Sequence, residues 1–109
     1  MRISLLLAVI CVIATPTIAV LEAWYPIANI DNPHMQELGR WAVKEHDKNA
    51  NDGLKFNRVV RGEEMSVVSG VKYHFIIDAS ASNGRKGKYE AVLSEHANTR
   101  ILYSFNAAR

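Results

Sequence analysis

The chain has 109 residues, 49% of them hydrophobic and 22% charged, with a formal charge of +2 and one cysteine. That length holds about one domain and excludes a second independent core. The near-balanced charge argues against nucleic acid as a partner, because phosphate binding needs a concentrated basic face.

Arg2 is followed by an apolar run from Ile3 to Ala14, then Pro16 and the small-residue ending Thr17-Ile18-Ala19. This pattern predicts a secretory signal peptide over residues 1–19. The apolar run is about a dozen residues, short of the roughly 20 that a membrane-spanning helix needs. Cleavage after Ala19 leaves a domain over residues 20–109, and cleavage after Ala23 is the alternative. Without Arg2, 12 basic residues face 11 acidic ones, a net charge of +1. Cys11 falls in the leader, so the remaining chain has no cysteine and must hold together by packing alone. No Asn-x-Ser/Thr acceptor occurs. The expected destination is outside the cell or in the vacuole, without membrane contact once the leader is removed.

The stretch Trp24 to Ile30 is apolar but contains Pro26, which suits a short edge strand. At Asp31-Asn32-Pro33 a capping residue precedes a proline suited to the first helical turn. A helix is predicted from there through Lys48, with Met35, Leu38 and Ala42 on one stripe beside Trp41. Gly39 weakens a helix interior by about 1 kcal/mol relative to alanine, which predicts close approach to a sheet. The turn formers Asn49 to Gly53 end the helix, with Gly53 available for a left-handed cap.

Beyond Gly53 the apolar period changes from about 3.6 to 2, beginning at Leu54-Lys55-Phe56. Val71, Tyr73, Phe75, Ile77 and Ala79 form one face of a strand, with Lys72, His74, Ile76 and Asp78 on the other. Two more strands place Tyr89, Ala91 and Leu93, then Ile101, Tyr103 and Phe105, on a buried face. Short turns at Ser69-Gly70, Ser80 to Gly87 and His96 to Thr99 join them as antiparallel hairpins. The predicted fold is α+β, one long helix packed against a four- or five-stranded antiparallel sheet.

No catalytic constellation accompanies this scaffold. There is no Gly-x-Ser-x-Gly elbow or phosphate-cradling loop, and His34, His46, His74 and His96 fall on different elements without metal-ligand spacing. Glu63 and Glu64 are strand neighbours that point to opposite faces, and Arg85, Lys86 and Lys88 read as a solvated turn. The chain is expected to be a binding protein rather than an enzyme, with no cofactor or metal.

The segment Leu38-Gly-Arg-Trp-Ala-Val-Lys-Glu-His46-Asp47 resembles the plant cystatin signature Leu-Ala-Arg-Phe-Ala-Val-x-Glu-His-Asn. Trp24-x-Pro26-Ile27, Val67-Val-Ser-Gly70 and Lys88-Tyr-Glu-Ala91 extend the likeness over nearly the whole domain. The resemblance implies a cystatin fold and reversible inhibition of papain-like cysteine proteases by a wedge of an N-terminal arm and two hairpin loops. It implies protease contacts at Ala23 and Trp24, at Ser66, Val67, Val68, Ser69 and Gly70, and at Ala97 and Asn98. Three departures weaken that wedge. Glu22-Ala23 stands where the family carries Gly-Gly, Ser66 and Ser69 stand in a loop usually written Gln-Val-Val-Ala-Gly, and Ala97-Asn98 replaces Pro-Trp. Loss of an anchoring tryptophan costs roughly 2 to 4 kcal/mol of binding. Grafting Gln at Ser66 and Pro-Trp at Ala97-Asn98 is expected to restore inhibition. Two functions stay open, a secreted inhibitor and a cystatin-fold binding or storage protein with little protease affinity. A monomer and a dimer formed by exchange about the Ser66 to Gly70 loop also stay open.

Overall fold

The computed structural model describes residues 23–108, so the expected leader and Glu22 lie outside the described residues. Within them one helix packs on a five-stranded antiparallel sheet in sequential order, β1 to β5. The strands are β1 (Tyr25–Pro26), β2 (Lys55–Val67), β3 (Gly70–Ser80), β4 (Lys86–His96) and β5 (Thr99–Ala107), and helix α1 covers Pro33–Ala50. The expected architecture is therefore observed, with five strands. The first strand is shorter than the apolar run suggested. It pairs only Tyr25 with Glu64 and Pro26 with Glu63, and one further bond runs from Ile27 N–H to the Gly62 carbonyl.

The helix begins as its sequence dictates. The Asn32 side chain accepts a hydrogen bond from the His34 N–H at 2.8 Å, and Pro33 occupies the first turn, where no donor is needed. Its C-terminal cap lies two residues before the expected glycine. Asn51 takes the left-handed conformation at φ 52 and donates its N–H to the Asp47 carbonyl. Asparagine tolerates that conformation through its short polar side chain, so Gly53 is not the cap.

Met35, Leu38, Ala42 and Val43 are buried against Val59, Tyr73, Phe75, Ile77, Ala79, Ala91 and Leu93. A Cβ on Gly39 would overlap Val59 Cγ2 and stand 3.0 Å from Phe56 Cε1, so the helix does lie against β2 at this point. Two register shifts in β2, between Phe56 and Arg58 and between Val59 and Arg61, let that long strand bend around the helix.

The predicted inward face of β5 needs correction. A further register shift faces Val92 to Ser104 but Leu93 to Leu102, so Tyr103 is the extra residue. Leu102 and Phe105 turn to the core, whereas Ile101 and Tyr103 remain 47% and 53% exposed. Strict alternation fails across a bulge, which resets the face of every residue beyond it.

Candidate contact edge

Three segments meet at one end of the sheet. In the first hairpin Val67 pairs with Gly70 and the turn is Val68-Ser69, a two-residue connection. In the second, His96 pairs with Thr99 and the turn is Ala97-Asn98. Because β3 and β4 are antiparallel and pair Val71 with Glu95, both tips emerge side by side. Strand β1 runs antiparallel to β2, so the chain traced backward from Tyr25 through Trp24 to Ala23 heads toward the first tip. Strand order fixes the sequence along the edge as arm, first hairpin, second hairpin.

The sequence-predicted contact residues differ in what they present. Val68 is fully exposed, and Ser66, Ser69, Ala97 and Asn98 are exposed beside it. Val67 and Gly70 are half-buried. A Cβ at Gly70 would overlap the Glu95 carbonyl oxygen and lie 3.1 Å from His96 Cα. The glycine therefore lets the first hairpin lie against the second, a packing role inside the chain. Neither Val68 nor Ser69 takes positive φ, so this turn makes no conformational demand that selects valine, and Val68 is not a core residue. Ala97 takes φ 54 at the second tip, a conformation ordinarily held by glycine or asparagine. Proline, fixed near φ −65°, does not fit that position, so the expected Pro-Trp graft would rebuild the turn it was meant to decorate.

At the arm, Ala23 is half-buried. Trp24 is 38% exposed and its ring lies 6.0 Å from that of His74 on the outer face of the sheet. The His74 nitrogens lie 3.2 Å from Glu63 Oε1 and 2.8 Å from Glu90 Oε2, which fixes the imidazole plane under the tryptophan.

The second hairpin is tied to the helix by charge. Arg100 donates from both terminal nitrogens to Glu37, each at 2.7 Å, and from Nε to Glu95 at 3.2 Å. His34 Nε2 lies 2.6 Å from the other Glu95 oxygen. The Arg100 hydrogen bonds hold the Glu37 carboxyl below its ordinary range, and the same bonds raise the guanidinium further. Arg100 follows the residue that closes the tip, so this clamp ties the base of the second hairpin to α1, where Ala97 and Asn98 line a cleft with Trp41 and Glu45. Sequence reasoning missed the clamp, since residues 37 and 100 are brought together only by the fold. Among the described residues no group of three or more His, Cys, Asp or Glu is arranged to hold a metal ion. No helix among them is long and apolar enough to cross a membrane.

The chain is similar to known proteins in sequence and in fold. Residues 27–108 match the family model SQAPI, described as aspartic acid proteinase inhibitor. Rice cysteine proteinase inhibitor 6 is 46% identical, with 94% of this chain and 90% of the relative covered. Rice cysteine proteinase inhibitor 8 is 40% identical, with 98% of this chain and 96% of the relative covered. In fold the chain is similar to a salivary cystatin from the soft tick Ornithodoros moubata, with a TM-score of 0.67 at 17% identity over 81% of this chain and 98% of that one. The relatives are named as inhibitors rather than enzymes, and on sequence and fold together the chain belongs to the plant cystatin family of cysteine proteinase inhibitors.

Proposed function

We propose that this protein is a secreted, reversible inhibitor of papain-like cysteine proteases that acts as a monomer through the arm at Ala23-Trp24 and the two hairpin tips. The observation that carries the reading is Val68. A β-branched residue at the tip of a two-residue turn, fully exposed, is explained neither by turn chemistry nor by burial, whereas an apolar contact with a partner accounts for it. Binding is non-covalent. A rigid hairpin loses little freedom on docking, and the small side chains at Ser69 and Ala97 allow backbone amides to approach the protease cleft closely. The Arg100 clamp supports that rigidity by fixing the second tip to the helix.

Affinity is below that of relatives with the full family pattern, because the second tip carries Ala97-Asn98 and offers no aromatic anchor. A loss of about 4 kcal/mol converts nanomolar binding to roughly micromolar. Residues 1–19 serve as the leader, and the product is delivered outside the cell or to the vacuole.

The test is expression of the full chain in a secreting plant cell, N-terminal sequencing of the protein in the medium, and titration of papain with it against a small peptide substrate. A competitive inhibition constant at or below roughly micromolar, corresponding to about 8 kcal/mol, supports the reading. Folded protein without effect on papain or a second papain-like protease moves the assignment to a cystatin-fold binding or storage protein. The family-model match favours one further arm, an aspartic protease such as pepsin, and inhibition of that enzyme alone would redirect the function to the aspartic class.

A further inference from the structure

Among the described residues the exposed large apolar side chains are Trp24, Tyr25, Val68, Ile101 and Tyr103. They are confined to one end of the molecule. Trp24 and Tyr25 lie at the arm, Val68 at the first tip, and Ile101 and Tyr103 just behind the second. Ile101 belongs to a row that crosses the outer face of the sheet, and Tyr103 lies beside that row. Met65 pairs with Lys72, Lys72 with Ser94 and Ser94 with Ile101, the first and last of these two pairs back from the tips of their hairpins.

Tyr103 is held in place although half of it is exposed. The Lys72 Nζ stands 5.0 Å from the centroid of its ring, and its hydroxyl lies 3.0 Å from Ser94 Oγ. An aromatic fixed before binding gives up little conformational entropy on contact, the property that makes tyrosine effective at interfaces. With Ile101 beside it, the ring forms one wall of a groove that reaches Val67 and Gly70 at the first tip. The groove is thus continuous with the edge assigned to protease contact.

We propose that this strip of the outer face, Lys72, Ser94, Ile101 and Tyr103, is a second contact surface for the same protease that the tips engage. It receives the rim of the protease beside the cleft, where an apolar side chain covers Ile101 and Tyr103 and a carboxylate meets Lys72. The proposal rests on the inhibitor reading above. Its surface lies outside the tips, so the two can be separated by mutation.

The experiment compares inhibition constants for papain among the parent protein, Val68→Asp at the tip, the double variant Ile101→Thr/Tyr103→Thr, and Lys72→Glu. Threonine keeps strand propensity at both exposed positions. The expected result is a rise of about tenfold or more for the double variant, with urea midpoint and elution volume unchanged. Lys72→Glu should weaken inhibition in the same direction, and Tyr103→Phe should retain most of it. A constant for the double variant within about threefold of the parent, while Val68→Asp is impaired, overturns the strip and leaves the tips standing. A change in self-association without a change in inhibition also overturns it, in favour of a second copy of this chain. If the double variant does not fold, Lys72→Glu decides, and a constant within about threefold of the parent overturns the strip. A parent protein that inhibits no papain-like protease removes the inhibitor reading itself, and the strip falls with it.

Discussion

Ala97 carries a backbone conformation that its side chain disfavours, and replacing it separates turn strain from partner contact. At φ 54 an L-residue with a Cβ pays about 1–2 kcal/mol relative to the right-handed regions. Ala97→Gly removes that strain but makes the unfolded chain more flexible, at a cost of about 0.4–1 kcal/mol. The net expectation is a gain of about 0.5–1 kcal/mol, or about 2–8 °C in Tm for a domain of this size. Ala97→Pro goes the other way. The ring holds φ near −65°, a rotation of about 120° from the present turn, so the hairpin must open and lose the His96 to Thr99 pairing that closes it. A loss of about 2 kcal/mol or more follows. Urea unfolding followed by tryptophan fluorescence and circular dichroism measures both. Destabilisation by glycine, or a neutral proline, would refute the reasoning and mean that the tip is a malleable loop. A clean test of the missing anchor therefore substitutes position 98 alone and leaves position 97 untouched.

Asn98→Trp should lower the papain inhibition constant by about tenfold or more, since an exposed aromatic at the tip supplies the kind of side chain that dominates interfaces; an unchanged constant would mean that the second tip does not reach the protease. Gly39→Ala should destabilise by about 1 kcal/mol despite higher helix propensity, because overpacking against the fully buried Val59 outweighs a gain of about 1 kcal/mol. Chemical denaturation checks it, and in the Gly39→Ala/Val59→Ala double variant the loss should be smaller than the sum of the two. Glu37→Gln removes the partner of Arg100. Since the folded carboxyl titrates below its ordinary range, its contribution is present above the unfolded pKa and disappears as pH falls through the folded value. Unfolding free energies of parent and variant from urea titration should differ by about 0.5–1 kcal/mol at neutral pH and converge in the acid range below about pH 4.

The helix and the central strands were legible because each repeats one local rule. Met35, Leu38 and Ala42 recur at helical spacing, Val71 to Ala79 alternate without interruption, and Gly39 marks its own close approach to β2. Strand β5 misled because the bulge at Tyr103 has no sequence marker. Ile101, Tyr103 and Phe105 alternate perfectly in sequence, and only the pairing to β4 shows that two of them have changed face. The cap at Asn51 was missed for a related reason, since two residues in one cluster can adopt the left-handed conformation and composition does not choose between them. The tips were located by resemblance. Their alignment along one edge follows from strand order and the pairing of Val71 with Glu95, which no single segment encodes.

The change of face in β5 also bears on how this chain can bind without an aromatic at its second tip. An inward Tyr103 would have left Val68 as the principal apolar contact near the hairpins. Instead Tyr103 and Ile101 both face outward, each about half exposed, five and three residues beyond Asn98. Burying such surfaces on a partner contributes on the order of 25 cal/mol per Å², so the two residues can offset part of what a missing tip tryptophan withholds. Ile101 faces outward because it pairs with Ser94 in the register set by the second hairpin, and the bulge at Tyr103 returns Phe105, opposite Ala91, to the core. The tip register therefore leaves two apolar residues on the outer face, while the bulge keeps the end of the strand anchored in the core.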